Sequence, residues 1–265
     1  MKKIIATGKG GAGKTTIIST LARLLVNDGH RIMVIDTDPS MNLAVSLGVP
    51  FDMLTTLADN KTVVREKLGI GAHEEDEGQG HVHNEIDESG MDDLISSYTM
   101  LTGDKIRVMV MGTIPYGGAG CICSSVALVK LIIQALERTK PYLDFIIVDS
   151  QAGSEVMGRG LAADYDYNLV VTETTQKSLD VAKHVIKLAN DINVKKQLVV
   201  VNKVENGSDL SMVLQKLNVK IDDLFPVSYD RMILEADRQS RMITDLYPES
   251  PAICDIRMIK EAIEG

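Results

Sequence analysis

Residues 8–16 read GKGGAGKTT, and this stretch decides how the rest of the chain is interpreted. It fits the phosphate-loop pattern G-x-x-x-x-G-K-[ST] from Gly8 to Thr15. The apolar run before it predicts a strand, and the stretch after it predicts a helix. In that setting the glycines let successive backbone N–H groups turn toward phosphate oxygens, and the helix N-terminus adds its positive end. The sequence therefore predicts a nucleotide-binding strand, loop and helix.

The side chains of this loop predict a site for ATP and Mg²⁺. Lys14 is expected to reach the β- and γ-phosphates and to act in catalysis, and the Thr15 hydroxyl is expected to bind Mg²⁺. A glycine-rich turn without a ligand is the alternative, which the strand and the helix on either side disfavour. The residues expected to contact the nucleotide here are Gly8, Lys9, Gly10, Gly11, Ala12, Gly13, Lys14, Thr15 and Thr16.

Composition and charge narrow the class of protein. The 265 residues are 45% hydrophobic and 25% charged, which is ordinary for a globular protein. A formal net charge of -9 disfavours partners held by bulk electrostatics, so neither nucleic acid nor a membrane is expected as a partner. The N-terminus lacks the features of a secretory signal, no apolar run approaches ~20 residues, and the few cysteines make no disulfide framework. We therefore expect a cytoplasmic protein.

Short apolar runs alternate with amphipathic stretches along the chain. This order predicts an α/β fold, a single P-loop NTPase domain over residues 1–265 with a mainly parallel central sheet flanked by helices. Ligands are expected at the carboxyl ends of the strands. The predicted strands are 3–7, 31–35, 106–111, 145–148, 168–172 and 197–201, and the predicted helices are 14–27, 125–138, 178–191, 209–217 and 231–239.

One stretch departs from this alternation. Residues 69–93 are rich in Gly, Glu and Asp, which predicts a flexible acidic loop or a small insertion within the domain. His81 and His83 lie inside it, and their imidazoles are possible Ni²⁺ ligands. A His-x-His in a polar loop is more often solvated surface, so the role of this pair stays open.

Lys9 makes the loop resemble one class of ATPase. The form KGGxGKT, with a lysine directly after the first glycine, resembles the deviant Walker A loop of the MinD/ParA/NifH class of dimeric ATPases. The resemblance implies an ATP-dependent homodimer in which Lys9 crosses the interface to the partner's nucleotide and takes part in catalysis. A positive charge is useful there because the leaving phosphate becomes more negative. The alternative is a solvated lysine at the edge of the loop.

An acidic motif after the second predicted strand fits the same class. In IDTDPS, at 35–40, the resemblance assigns Asp38 to switch I, where it orients the attacking water as a catalytic residue. A capping or turn role for Asp38 is the alternative. Asp36, two residues earlier on an extended strand, points the same way and is a candidate contact to Mg²⁺ through water.

A third motif follows the strand predicted at 145–148. Asp149 matches a Walker B carboxylate, which holds Mg²⁺, usually through water. DSQAG then fits the DxxAG switch II of this class. The resemblance implies that Gly153 offers its backbone N–H to the γ-phosphate and rearranges when that phosphate leaves.

The strand ending in VVVNK supplies two further candidate nucleotide contacts, Asn202 and Lys203. Asn202 resembles the adenine contact of the class, because an amide pairs a donor with an acceptor and suits adenine N6 and its neighbouring ring nitrogen. The later PVSYDR, at 226–231, resembles the loop that closes over the base. An Asn-Lys pair at a strand end is also a common turn.

Two of the three cysteines, Cys121 and Cys123, are separated by one residue in GAGCICSS. A bridge between them would close a small and strained ring, and two thiolates are too few for a stable metal site. If Lys9 marks a dimer, two such pairs facing each other would offer four thiolates, which suits tetrahedral Zn²⁺ or planar Ni²⁺. The alternative is a pair of small, half-buried hydrophobic side chains, and Cys254 is interpreted as a packed thiol of that kind.

The order of these motifs resembles one family within the class, the CooC/AcsF-type nickel-insertion ATPases. The shared features are the deviant P-loop, the DxDP, a C-x-C ahead of the Walker B strand and the DxxAG. The resemblance implies an ATPase that carries Ni²⁺ to a client enzyme, carbon monoxide dehydrogenase or acetyl-CoA synthase. Two other functions stay open: an iron–sulfur scaffold or carrier ATPase that uses the same thiolates, and a positioning ATPase of the MinD/ParA type, which the acidic composition disfavours.

Overall fold

The computed structural model describes residues 1–67, 88–113, 123–158 and 160–265. The strands in these ranges are β1 (Lys2–Gly8), β2 (Ile32–Asp36), β3 (Thr99–Leu101), β4 (Arg107–Val110), β5 (Phe145–Asp149), β6 (Tyr167–Thr172), β7 (Lys196–Val204) and β8 (Leu224–Ser228). The helices are α1 (Lys14–Asn27), α2 (Asn42–Ser46), α3 (Lys61–Lys67), α4 (Glu88–Tyr98), α5 (Cys123–Thr139), α6 (Glu155–Gly158), α7 (Gln176–Asp191), α8 (Asp209–Leu217), α9 (Arg231–Arg238), α10 (Ile243–Leu246) and α11 (Pro251–Glu264). Short 3₁₀ helices lie at Phe51–Met53 and Ile221–Asp223.

The strands form one sheet in the order β3-β4-β2-β5-β1-β6-β7-β8. Every neighbouring pair is parallel except β3 and β4, which are antiparallel. The predicted α/β fold with a mainly parallel sheet flanked by helices is therefore confirmed. β1 lies inside the sheet, between β5 and β6, and its residues from Lys3 to Gly8 are buried, with Ile4, Ile5 and Ala6 as its apolar centre.

Helices cover both faces of the sheet because neighbouring apolar residues of a strand point to opposite sides. Ile4 of β1 and Val34 of β2 belong to a core cluster that also contains side chains of α1 and α11. Ile5 and Ile35 belong to a second cluster, on the other face, with side chains of α5 and α7. Among the helices that the structure describes, none is long and apolar enough to pass through a membrane.

The register of the central strands gathers acidic residues at one edge of the sheet. Asp36 ends β2 and lies directly opposite Asp149, which ends β5. Ala6 of β1 lies opposite Asp149 on its other side. The loops that leave β1, β2 and β5 therefore emerge side by side, and this edge is called the phosphate edge below.

The structure adds elements that the sequence patterns did not predict. The predicted helices 14–27 and 209–217 match α1 and α8, and each predicted strand overlaps an observed one. The prediction missed β3 and β8, which are the two edge strands, because β3 is only three residues long and β8 contains a proline. It also missed α11, which begins with Pro251 at a position where a helix tolerates proline.

The acidic loop predicted over 69–93 is wrong for its last residues. α4 begins at Glu88, and both Met91 and Leu94 are fully buried in the core. Apolar residues spaced as on one face of a helix drive this packing, although the acid-rich composition suggested a loop. Residues 69–87 of that prediction, with His81 and His83, lie outside the described residues.

Candidate nucleotide site

The phosphate loop packs so closely against the sheet that two of its positions admit only glycine. Gly8, the last residue of β1, has φ 138°, and a Cβ there would lie 2.0 Å from the carbonyl oxygen of Val171 on β6. Gly13 has φ 99°, and a Cβ there would lie 2.2 Å from Nδ2 of Asn202 on β7. L-residues with a side chain rarely adopt such angles, and neither space holds one. These glycines let the loop lie directly on β6 and β7.

The loop delivers an uncapped helix N-terminus to the phosphate edge. A single turn closes it, in which the Ala12 N–H donates to the Lys9 carbonyl at 3.2 Å. Gly13 is the N-cap of α1 and makes no side-chain cap hydrogen bond. The first N–H groups of a helix have no intrahelical acceptor, so the start of α1 can receive phosphate oxygens, as the motif predicts.

Lys14 and Thr15 meet the Walker B carboxylate at the start of α1. The Thr15 hydroxyl donates to Oδ2 of Asp149 at 2.6 Å. Lys14 is 7% exposed, and burial lowers the pKa of its ammonium, while the charges of Asp149 and Asp38 oppose that shift. The two side chains predicted to act on phosphate and Mg²⁺ are therefore brought together with the two acids predicted to act beside them.

The two strand-end carboxylates are buried and repel each other. Burial, with the charge of Asp149 as the next cause, raises the pKa of Asp36 to about 7. Burial likewise raises the pKa of Asp149 to about 6, against the lowering effects of the Thr15 hydrogen bond and the Lys14 charge. Because two buried carboxylates repel each other, a cation bound between them and the ligand would stabilise their ionised forms.

The residues at this edge fit Mg²⁺. Oδ1 of Asp149 is buried and accepts no hydrogen bond from the residues that the structure describes, which marks it as an acceptor without a partner. The Thr15 hydroxyl and the Asp149 carboxylate are the oxygen donors that Mg²⁺ prefers beside nucleotide phosphates. When bound there, Mg²⁺ would neutralise charge that develops on the β- and γ-phosphate oxygens.

Asp36 has a role that the sequence did not reveal. Its Oδ1 accepts the backbone N–H of Asp38 at 3.0 Å, and its Oδ2 accepts that of Leu43 at 3.0 Å. Both oxygens thus hold the two ends of the loop that carries Asp38. Asp36 therefore anchors the loop predicted to be switch I, and its predicted contact with Mg²⁺ through water stays a prediction.

Asp38 lies half-buried in that loop and binds within it. Its Oδ1 accepts the backbone N–H of Ser40 at 3.0 Å and the Ser40 hydroxyl at 2.6 Å. This is the local turn weighed as the alternative role. Its charge also acts on Lys14 and on Asp149, so the carboxylate is within electrostatic reach of the phosphate edge.

Gly153 faces the phosphate loop, but its N–H is already engaged. That group donates to the carbonyl of Gly8 at 3.0 Å. A hydrogen bond from Gly153 to a γ-phosphate requires this contact to break. The segment predicted to be switch II is therefore tied to the end of β1 in this conformation, and its switching role stays a prediction.

Asn202 and Lys203 bind the outside of the phosphate loop. The Asn202 Nδ2 donates to the Ala12 carbonyl at 2.8 Å, and the Lys203 ammonium donates to the Gly11 carbonyl at 2.9 Å. The adenine contact expected of Asn202 stays a prediction. The carboxylate of Glu173, which directly follows β6, also accepts a hydrogen bond from the Lys203 ammonium. The sequence analysis did not predict this residue, although an acid at the carboxyl end of a strand is a signal for a functional site.

Lys9 and the cysteines are the other side chains that the sequence singled out. The Lys9 ammonium is at the surface, 3.5 Å from the Gly10 carbonyl. Cys121 lies outside the described residues, and Cys123 is the first residue of α5. Within the ranges that the structure covers, no three His, Cys, Asp or Glu side chains are grouped as a metal site requires. Cys254 is exposed, so the prediction of a packed thiol is wrong there, because α11 turns that position to the solvent.

The raised pKa values predict how stability depends on pH. Between 3.8 and about 7 the carboxyls of Asp36 and Asp149 bind more protons in the folded, nucleotide-free protein than in the unfolded chain, so their contribution to the free energy of unfolding falls as pH rises through this window. Asp149→Asn removes one buried charge and keeps an oxygen for the Thr15 hydroxyl. In thermal melts without nucleotide we expect this variant to exceed the wild type in Tm by several degrees at pH 8, with the difference vanishing near pH 4.

The same variant should lose the stabilisation that Mg²⁺ and ATP give the wild type, since a neutral amide is a poor Mg²⁺ ligand. A wild type whose Tm is independent of pH, together with a variant that melts lower at pH 8, would show that burial does not disfavour the ionised form of Asp149.

Sequence comparisons find proteins that are similar to this chain. Residues 3–241 match the family described as the CobQ/CobB/MinD/ParA nucleotide binding domain. The chain is 32% identical over 249 residues to the carbon monoxide dehydrogenase accessory protein CooC of Rhodospirillum rubrum, covering 93% of this chain and 90% of that one. It is 35% identical over 238 residues to an uncharacterized ATP-binding protein of Methanocaldococcus jannaschii, covering 89% of this chain and 88% of the relative.

A solved structure shares the fold. The MinD cell division protein of Aquifex aeolicus superposes with a TM-score of 0.70 at 18% identity, covering 100% of this chain and 97% of that one. The fold, the phosphate loop and the family match agree with one another. The chain therefore belongs to the CobQ/CobB/MinD/ParA nucleotide-binding family, and it is an ATP-binding ATPase of the MinD/ParA/CooC type.

Proposed function

We propose that this ATPase is a metallochaperone, which binds a soft or borderline metal ion, most suitably Ni²⁺, and helps to insert it into carbon monoxide dehydrogenase or acetyl-CoA synthase. The observation that carries the proposal is the Cys121-x-Cys123 pair in a chain that resembles a carbon monoxide dehydrogenase accessory protein over nearly its whole length. The metal is cargo here, while ATP is the substrate of hydrolysis.

The path of the chain supports a link between the cysteine pair and the nucleotide. β4 and β5 run in the same direction, because each is parallel to β2. A helix that connects two parallel strands starts at the edge where the first strand ends. α5, which begins at Cys123, therefore starts at the phosphate edge. Metal capture and ATP binding would occupy the same side of the domain.

Dimer formation would complete the metal site. One chain offers two thiolates from the pair, whereas stable Zn²⁺ or Ni²⁺ thiolate sites use about four ligands. Two chains that close with their phosphate edges together would supply the second pair. The same closure would bring the surface Lys9 of one chain to the nucleotide of its partner, where it would stabilise charge on the leaving phosphate.

ATP would drive the cycle through its γ-phosphate. A ligand shifts a conformational equilibrium only by its difference in affinity for the two states. The γ-phosphate would provide that difference by replacing the Gly8 carbonyl as the acceptor of the Gly153 N–H. Hydrolysis would restore the present contact, loosen the dimer and release the metal to the client.

Cysteine substitution tests this function directly. With ATP, the wild type should bind about one Ni²⁺ per pair of chains, measured by elemental analysis of anaerobically purified protein. Cys121→Ser should lose this binding while its affinity for ATP stays unchanged, since the thiols are not among the residues of the phosphate loop. Cys254→Ser is the matched control, because it removes an exposed thiol on α11 and should keep the wild-type stoichiometry.

The same samples separate the competing functions. An unchanged metal content in Cys121→Ser would remove the metallochaperone proposal. A brown protein with iron and sulfide lost on that substitution would instead assign the thiolates to an iron–sulfur cluster. Co-sedimentation with liposomes or DNA only in the presence of ATP would favour a positioning ATPase.

A further inference from the structure

We propose that Asp230 and Asp255 are positioning residues of ATP binding, which fix the base loop, residues 228–231, to α11 and thereby preform the end of the site that receives the base. The inference rests on the prediction that the segment 226–231 lies at the base. It concerns nucleotide binding alone and is independent of the metal that the protein carries.

The base loop lies at the same edge of the sheet as the phosphate loop. β8 is parallel to β7, so the loop that leaves β8 emerges beside Asn202 and Lys203, which bind the phosphate loop. The Tyr229 N–H donates to the Val204 carbonyl of β7 at 2.9 Å, which keeps the base loop beside that strand. β8 is three strands from β1, roughly 14 Å at the usual strand spacing. A nucleotide whose phosphates bind after β1 can therefore extend along this edge toward the base loop.

Asp255 holds the beginning of the base loop from α11. Its Oδ2 accepts the backbone N–H of Ser228 at 2.8 Å. β8 is an edge strand, and an edge strand leaves part of its N–H groups without a neighbouring strand. The N–H of Tyr229 is directed to β7, so that of Ser228 is directed to the open side of the sheet. Asp255 therefore supplies from a helix the acceptor that a further strand would supply inside a sheet.

Asp230 holds the end of the base loop. Its Oδ1 accepts the backbone N–H of Met232 at 2.9 Å and caps α9, and its Oδ2 accepts that of Ala252 in the first turn of α11 at 3.4 Å. The residue is only 9% exposed. Both carboxylate oxygens are thus used inside the protein, so this side chain acts on the loop and does not contact the nucleotide.

Tyr229 is the side chain that this arrangement leaves accessible. It lies between the two fixed residues, Ser228 and Asp230, and is 44% exposed. An aromatic ring offers a flat apolar face on which a purine can stack. Fixing the backbone on both sides of Tyr229 therefore limits the positions that its ring can take.

α11 is a rigid support for the loop. Ile253, Ile256 and Ile259 are buried in the core cluster that also contains side chains of α1, the helix that begins at the phosphate loop. At the other end of α11, the Lys2 ammonium donates to the carbonyls of Ile263 and Glu264 at 2.7 and 2.8 Å. The base loop and the phosphate loop are thus attached to two helices of one core. A loop that is ordered before binding loses less entropy when the ligand arrives.

Calorimetric titrations of the full chain with ATP and with inorganic tripolyphosphate, each with Mg²⁺, test the proposal. Asp255→Ala should weaken ATP binding about tenfold, as for the loss of one hydrogen bond, and should leave tripolyphosphate unchanged because it has no base. In steady-state hydrolysis KM should rise while kcat stays as in the wild type, since the base is held equally in the ground and transition states. Asp255→Asn should restore most of the affinity, because its amide oxygen can accept the Ser228 N–H.

Asp230→Asn provides the second arm. Asparagine is as good an N-cap as aspartate, so α9 keeps its cap. The amide nitrogen would face the Ala252 N–H, and two donors cannot bond to each other. This variant should therefore also weaken ATP about tenfold and keep the wild-type affinity for tripolyphosphate, and it carries the test if Asp255→Ala does not fold.

Glu264→Ala is the matched control. It removes a carboxylate from the other end of α11, where Oε1 lies 2.8 Å from Nε2 of His30, and it should bind both ligands like the wild type. Losses confined to ATP, with wild-type binding in this control, support positioning of the base loop. Equal losses for ATP and tripolyphosphate would show that the two carboxylates act on the phosphate loop or on the whole fold, and would overturn the proposal. Wild-type ATP binding in both Asp255→Ala and Asp230→Asn would overturn it as well.

Discussion

Lys14→Ala should lower kcat/KM for ATP hydrolysis by about 100-fold or more, the range found when a single preorganised charge or donor is removed from a reacting group. Lys14 is 7% exposed at the start of α1, so water cannot replace its ammonium beside the phosphates without entering a buried site. Its removal also leaves Asp149 and Asp38 without the cation that opposes their repulsion for the incoming phosphates. Both effects raise the barrier in the same direction.

Lys9→Ala separates ATP binding by one chain from hydrolysis in the proposed dimer. Lys9 lies in the same loop, but its ammonium is at the surface near the Gly10 carbonyl and does not face the buried acids. We expect Lys9→Ala to keep the wild-type dissociation constant for ATP in a single chain but to slow hydrolysis in the proposed dimer, whereas Lys14→Ala weakens ATP binding as well. The measurements are phosphate release under steady-state conditions and ATP binding by calorimetry. A Lys14→Ala variant that hydrolyses ATP at the wild-type rate would mean that the nucleotide binds elsewhere.

The parts of this fold that follow from local patterns were predictable from the sequence. The phosphate-loop unit is set by residues 3–27, where an apolar strand, a glycine loop and an amphipathic helix follow one another directly. The edge strands β3 and β8 are different, because a short or proline-containing segment becomes a strand only when a neighbouring strand accepts it. α4 likewise depends on the core cluster into which Met91 and Leu94 pack.

The candidate site divides in the same way, because the types of its residues were predictable from the sequence and the contacts between distant residues were not. Residue type and order were enough to suggest Lys14, Thr15, Asp38 and Asp149 as one cluster, since the ends of parallel strands meet at one edge. They were not enough to show that Asp36 anchors the backbone of the loop that carries Asp38, or that Asn202 and Lys203 bind carbonyls of the phosphate loop. Those contacts join residues that are up to 192 positions apart, so only the folded chain reveals them.

The stability of the protein should depend most sharply on Gly8. Gly8→Ala should lower the free energy of unfolding by at least about 4 kcal/mol, a loss large enough to leave little folded protein. The added Cβ would lie 2.0 Å from the carbonyl oxygen of Val171, a main-chain atom of β6, and β6 is held on its two sides by β1 and β7. The same substitution would also disturb the Gly8 carbonyl that accepts the Gly153 N–H. The measurement is urea unfolding followed by circular dichroism, with solubility on expression as a first indication.

Gly11→Ala separates the energetic cost of the clash at position 8 from the cost of a positive backbone angle. Gly11 has a positive φ of 79° in the same loop, yet a Cβ there meets no atom within 4 Å. Its substitution should therefore cost only the strain of a left-handed angle, about 1–2 kcal/mol. The difference between the two variants measures the contact with β6, since both replace a loop glycine by the same residue at positive φ. Equal losses in the two variants would show that β6 can move aside, and the packing of the phosphate loop against that strand would then not be what requires glycine at position 8.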